Sequence, residues 1–482
     1  MGYVLLPLCV LYAGRPESLL QLALVVAPFE ASAAIIIGNF GLQLAAVPGM
    51  LFVAYVMIQY SLGMRYPGEG VALKTLGPLM ALLGYALLSI AILPDLFAGK
   101  VFVAPQKPDP FGPSLTPLEY TSGNMTQTLY LAQNVITSVL AALFVTRRKI
   151  AFRGILSAYL LGGYIEIFIA CWQFASRVVG VPFPDDVIYS NPGWAIVSQS
   201  IGEVPRIQGS FSEPAGLAVY MVGLCFCSAW LVAQGHRTMR PGLLLGLSML
   251  TVLISTSTTG LVCLVVGLPL ELAIAMAGGT AQARARLTRV MAALALGGAL
   301  AIGPVFILKP SLLTSVDLVV TGTLSKQDSD SFKDRTALDE AALATVSETG
   351  GLGVGWGSFR PSSLVPGLLA NGGVFAVLML IWLGINVARL KRRCTRLLRH
   401  HAASPLIDGL VAAVSGQVVA ALVSAPSITS LAFFLQIGCL VGAAARVCVD
   451  ASSTSRIALP AHATRGMRSL AEPFRPDSSR HA

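Results

Sequence analysis

Apolar runs of about 20 residues recur along almost the whole of this chain, each long enough to cross a bilayer as a helix. In lipid a backbone must satisfy its own hydrogen bonds, which leaves only helices or a closed barrel. The runs are long and lack the period-two alternation of barrel strands, so a barrel is excluded. Composition agrees. Hydrophobic residues make up 55% of the chain and charged residues only 12%, with a mean hydropathy of +0.74. A soluble domain carries about 25% charged residues. The expected fold class is an all-α polytopic membrane protein.

Twelve spans are predicted, at residues 17–37, 42–62, 71–93, 128–146, 151–174, 213–234, 241–255, 260–277, 289–308, 366–388, 405–424 and 427–445. Residues 3–13 are apolar but short. They read as a partial or re-entrant segment or the edge of the first span, and no cleavable signal peptide is apparent. Residues 1–448 thus form one transmembrane domain, followed by a basic tail, 449–482. From Pro460 the tail is rich in Ser, Arg and Pro and is expected to be disordered.

The net charge of +10 could suggest nucleic acid. The positive residues instead form short clusters between apolar runs, as cytoplasmic loops do under the positive-inside rule. Arg147, Arg148, Lys149 and Arg153 follow the fourth predicted span. His236, Arg237 and Arg240 follow the sixth, Arg284, Arg286 and Arg289 the eighth, and Lys391 to Arg399 the tenth. All are even-to-odd connections and fall on one side, with the tail. Both termini are then expected in the cytoplasm. The eight cysteines avoid the large polar loops, so no disulfide framework or cysteine metal site is suggested.

Three links on the opposite side are long: 94–127, 175–212 and 309–365. Loops of that length are usually functional or disordered. The runs Tyr189–Trp194 and Gly353–Gly357 suggest folded caps on the membrane surface. Residues 337–346 place Leu338, Ala341, Ala342 and Val346 at helical spacing, which predicts a helix in the membrane plane, with Asp339 and Glu340 on a solvated face.

The stretch Pro205–Gly216 reads P-R-I-Q-G-S-F-S-E-P-A-G and runs from a polar loop into a predicted span. Arg206 breaks the charge rule. It is either a snorkelling arginine or a fork aimed at a phosphate or carboxylate. Charge at membrane depth favours the second. Glu213 reads equally as part of a helix start, with Ser212 as N-cap and Pro214 in the first turn, or as a base for a sugar hydroxyl. Asp328-Ser329-Asp330 gives only a weak metal signal, and no metal or cofactor is expected. Gly350–Gly357 is glycine-rich, but no strand precedes it and no Lys-Ser/Thr follows, so nucleotide-loop readings fail. Arg360 is a second off-rule arginine. The hydroxyls of Ser255–Gly260 are expected to cap helix ends. Glu30, Glu166 and Glu271 are the main charges inside predicted spans, and all five histidines fall on the predicted cytoplasmic side.

Three segments in this order resemble the bacterial O-antigen polymerase/ligase family and the related exopolysaccharide polymerases: Arg206–Gly216, the Ser255–Gly260 turn, and the late loop with Arg335, Gly353–Arg360 and Leu368–Gly373. The resemblance covers roughly residues 206–388. It implies a GT-C-like, metal-independent glycosyltransferase of the inner membrane. Such an enzyme joins undecaprenyl-diphosphate-linked repeats at the periplasmic face, beside a flippase and chain-length or export proteins. It implies Arg206, Arg335 and Arg360 as diphosphate ligands and Glu213 as the base. Gly209, Gly216, Gly355 and Trp356 are implied at the substrate. Ligases of the family carry a histidine where this chain reads Ser362-Ser363-Leu364, which favours a polymerase. A ligase, or a transporter or flippase, is the alternative.

Overall fold

The computed structural model describes residues 1–38, 40–106, 114–147, 149–192, 200–201, 204–278, 280–308, 330–395, 397, 401–424 and 430–458. Each of the twelve predicted spans overlaps a helix, the first of them only over its first half. Among the described residues, however, eight helices are long and apolar enough to cross a membrane.

The first predicted span shows why the numbers differ. Helix α1 (Gly2–Leu11) is followed by α2 (Pro16–Val26). Pro28 bars the next turn. The β-branched run Ile35-Ile36-Ile37 then prefers extended backbone and forms β1 (Ala33–Ile37), paired antiparallel with β2 (Phe40–Gln43). Helix α2 holds 11 residues, about 16 Å of helix against a hydrocarbon core of about 30 Å. Helix α3 (Ala46–Ser61) is also short. Gly2 packs against the Ala34 carbonyl, so the chain begins beside this hairpin.

Helix α4 (Glu69–Leu96) leads into a two-residue ribbon, β3 (Phe102–Val103) with β4 (Thr116–Pro117). Helices α5 (Ser122–Val145) and α6 (Phe152–Val179) follow. A short turn α7 (Asp185–Ile188) and a ribbon, β5 (Ser200–Ile201) with β6 (Val204–Pro205), complete the second long link. Gly193, Trp194, Asp328 and Ser329 lie outside the described residues.

Helix α8 (Pro214–Gln234) is the axis of the molecule, with 89% of its apolar window buried. A helix apolar on every side must be enclosed. It is enclosed by α9 (Pro241–Ile254), by α10 (Thr258–Val262) running through a π-turn into α11 (Leu268–Gly278), and by α12 (Ala281–Leu308). The third long link supplies α13 (Asp330–Glu348). Then come α14 (Leu364–Thr395), broken at Gly373, and α15 (Ser404–Val423), which packs along α8. Helix α16 (Leu431–Ala458) runs against α5 at glycine contact distance, since a Cβ on Gly438 or Gly442 would stand 2.4 Å from the Ser138 or Ala142 carbonyl oxygen. Small residues one turn apart allow such close approach in membrane helices.

The basic clusters meet at one end of this bundle. Arg446 donates to the Thr146 carbonyl, Phe152 faces the His401 ring, Arg286 packs on Gly235, and Arg15, Arg147 and Lys149 line a common cleft. The three long links gather at the other end. The first residues of the chain stand there too, with the hairpin, and not with the basic clusters.

Helix α13 departs from its expected face. Its inward side carries Ala342 and Thr345 together with Arg335 and Asp339. Asp339 is therefore not on the solvated face. It lies one turn past Arg335 on the apolar stripe and accepts a hydrogen bond from Ser363 at 2.8 Å.

Candidate functional site

The loop between β6 and α8 is held from beneath by α6. Glu166 and Gln173 lie two turns apart on one helical face. The Gln173 Oε1 accepts the backbone N–H groups of Gln208 at 3.0 Å and Gly209 at 2.9 Å. The Glu166 carboxylate accepts the Ser210 N–H at 2.9 Å and also contacts its hydroxyl. Tyr189 donates to the Gly209 carbonyl at 2.7 Å and receives the Gln173 amide at 2.6 Å. Glu166 is the fifteenth of the 28 residues of α6, so the loop dips to the mid-length of that helix. Gly209 has φ +60, and a Cβ there would stand 2.0 Å from Glu166 Oε1. The clamp thus explains Gly209 without a substrate. Gly216 is likewise explained by packing, against the Phe211 ring at 3.3 Å.

Arg206 stands at the mouth of this clamped loop, half-buried. Its charged neighbours are Arg335 and Glu213. Burial and the nearby Arg335 guanidinium draw its pKa down from the usual arginine value, and Glu213 opposes them. Arg335 reaches in from α13 and donates to the Ser424 hydroxyl at the C-terminus of α15. Asp339 completes the group. Burial raises its pKa, against the hydrogen bond from Ser363 and the charge of Arg335. Its Oδ1 is buried with no hydrogen-bond partner among the described residues. Two remote segments, the loop before α8 and α13, therefore bring two guanidiniums and two carboxylates together.

Glu213 itself is the N-cap of α8, with φ −140 and ψ 149, and Pro214 takes the first helical position. The expected cap, Ser212, lies outside the helix. Proline suits the first position because its missing N–H would have no partner there. The Glu213 carboxylate makes no capping hydrogen bond and is exposed, so helix capping does not occupy it.

Arg360 is exposed, and its backbone N–H donates to the Ala104 carbonyl at 2.9 Å. Gly355 and Trp356 belong to a lock between helices. The Asn124 amide donates to the Trp356 carbonyl and the Ser358 hydroxyl, the Trp356 N–H donates to Ser89, and Asn371 bonds both backbone groups of Phe359. Gly355 has φ +97, and a Cβ there would press on Pro94 at 3.2 Å. Trp356 is buried. Packing on α4, α5 and α14 accounts for both residues, and nothing in their surroundings points to substrate.

The Ser255–Gly260 turn lies against the start of α8, with Gly260 near Ala218. Its hydroxyls do not cap as expected. Ser257 is the N-cap of α10 without a side-chain hydrogen bond, and Ser255 instead donates back to the Val252 carbonyl at 2.7 Å. Thr256 has φ +49, a strained conformation for a β-branched residue.

Below the clamp lies a second carboxyl, Glu30, in the turn after α2, with a hydrogen bond from Ser430. Glu30 is also a charged neighbour of Glu166. Among the described residues no group of three or more His, Cys, Asp or Glu side chains could hold a metal ion.

Fold and site together define a class: a polytopic α-helical membrane protein with a recessed, clamped loop at the end opposite its basic links. No family model matches the chain, and no curated protein matches it.

Proposed function

We propose that this protein is a membrane glycosyltransferase that polymerises polyprenyl-diphosphate-linked sugar repeats, with undecaprenyl as the carrier. The observation that supports the reading is the juxtaposition of Arg206 and Arg335. Arg206 and Arg335 are close enough for the charge of Arg335 to lower the pKa of Arg206, and a diphosphate is an anion that can accept charge-assisted hydrogen bonds from both. In the reaction, an acceptor hydroxyl attacks the anomeric carbon. The bond from that carbon to the diphosphate oxygen breaks, with inversion. The leaving diphosphate keeps the electron pair, and preorganised arginines stabilise that charge. The hydroxyl proton passes to the exposed Glu213 carboxylate. Arg360, which is exposed, has no part in this step.

This reading takes the basic end as cytoplasmic and the site end as periplasmic, in an inner membrane and a GT-C-like arrangement of up to twelve crossings. The C-terminal helix then ends in the cytoplasm. A cytoplasmic N-terminus is not retained, because Gly2 stands with the hairpin at the site end.

The test is the lipid-linked glycan profile of a strain lacking the protein, complemented with Arg206 variants. Single repeats on lipid mean a polymerase. Long chains on lipid mean a ligase, and repeats held on the cytoplasmic face mean a flippase. Arg206→Ala should abolish polymer while the protein stays in the membrane, and Arg206→Lys should restore little, since lysine lacks the two-point fork. Full-length polymer from the alanine variant sinks the assignment.

A further inference from the structure

The sequence separates Cys394 and Cys448 by 54 residues, and the fold brings their sulfurs to 3.6 Å. Cys394 sits near the C-terminus of α14, fully buried, and Cys448 lies half-buried on α16. The Cys394 thiol also lies 3.2 Å from the Ala444 carbonyl. A carbonyl only accepts, and each thiol has one proton. Cys394 therefore donates to Ala444, and Cys448 donates to the Cys394 sulfur. Their sulfurs need approach by only about 1.5 Å to reach bonding distance. The other cysteines differ. Cys171 is exposed and has no thiol partner, and Cys225 is turned to the Ser248 hydroxyl.

We propose that Cys394 and Cys448 form a modification site, a dithiol that a low-molecular-weight disulfide converts to an intramolecular bond. Cys448, the accessible thiol, loses its proton to solvent and attacks the oxidant RS–SR. That step makes a mixed disulfide at Cys448 and expels the first RS⁻. Cys394 then attacks the Cys448 sulfur, the mixed disulfide breaks, and a second RS⁻ leaves. The two thiol protons end on the two RS⁻ groups. Two electrons pass from the protein to the oxidant. The resulting bond ties the end of α14 to α16, which already pack together. The inference does not depend on the glycosyltransferase reading.

The test uses the full-length protein in detergent, freed of reductant and incubated with glutathione disulfide. Remaining thiols are alkylated and the peptides read by mass spectrometry. The expected product is one linked peptide pair joining Cys394 to Cys448. Cys394→Ser should trap glutathione on Cys448, and Cys448→Ser should leave Cys394 as a free thiol. The oxidised protein should also melt at a higher temperature than the reduced one. In a sample where exposed Cys171 has reacted, recovery of both Cys394 and Cys448 as alkylated thiols overturns the proposal. A bond from either to another cysteine does so equally. The wild-type measurement alone decides the question if either serine variant fails to accumulate.

Discussion

Gly209→Ala isolates the clamp beneath Arg206. Two costs are expected. The residue has φ +60, and an L side chain there loses about 1–2 kcal/mol. The new Cβ would also stand 2.0 Å from Glu166 Oε1. Contact distance is well over 3 Å, so the carboxylate must swing away or the loop must rise. Either movement breaks the bond from the Ser210 N–H. Leaving that buried N–H without a partner costs about 1–3 kcal/mol. The total is about 2–5 kcal/mol, concentrated in the loop.

Gly180→Ala is the matched control. Gly180 ends α6 with φ +81, and nothing lies within 4 Å of its would-be Cβ. Only the backbone penalty applies there, about 1–2 kcal/mol. The assay is thermal unfolding in detergent, with limited proteolysis of the loop. Gly209→Ala should lower the melting temperature at least twice as far as Gly180→Ala and should open the loop to protease. Glu166→Ala removes the obstacle, so Gly209→Ala added to it should cost no more than the control, a coupling read by a double-mutant cycle. Equal effects of the two single alanine variants, or additivity with Glu166→Ala, would refute the clamp.

Asp339 gives a pH dependence with a definite sign. Burial raises its folded pKa above the ordinary value, so the folded state holds the proton more tightly. Stability from this group is present at low pH and is lost as pH rises through the folded pKa. Asp339→Asn should flatten that fall of melting temperature, and an unchanged slope would assign the fall elsewhere. Gly438→Val should prevent stable assembly, because its side chain would overlap the Ser138 carbonyl oxygen; normal accumulation of the variant would show that α5 and α16 can separate. Alkaline phosphatase fused after Pro192 should be active and after Arg393 inactive, and the reverse pattern would invert the assigned sides.

The helices were legible because hydropathy is a local property. Every predicted span overlaps one, and the basic links converge as the charge rule requires. The errors came from features that hydropathy does not weigh. Residues 17–37 are mostly apolar, yet Pro28 and three consecutive isoleucines turn their second half toward a strand. Asp339 looked solvated because acidic residues usually are, although its spacing from Arg335 and Ala342 puts it on the buried stripe. Arg206 was legible as an off-rule arginine and Arg335 through the family resemblance, but not as neighbours, since 129 positions separate them. Arg360 was off-rule too and is exposed, with its N–H on the Ala104 carbonyl. Glu166 was visible as a charge inside a span, and Gln173, two turns on, was the missing half of that signal. Ser424 carried no signal at all, because its role depends on where α15 ends.

The arginine pair itself demands explanation in energetic terms. A long side chain near a membrane surface normally extends its charge to water. Arg206 is half-buried, and the backbone two to four residues past it is held by four hydrogen bonds, with Glu166 and Gln173 of α6 and with Tyr189. Arg335 is held by Ser424 and by the face of α13 it occupies. Glu213 and Asp339 offset part of the repulsion between the two arginines, and the fold bears the rest. An anion that bridges them gains that energy back on binding, and gains more as its charge grows. A diphosphate gains charge when its bond to the sugar breaks. On the proposed function, arginines held in place in this way favour the leaving diphosphate over the intact donor, the direction that catalysis would require.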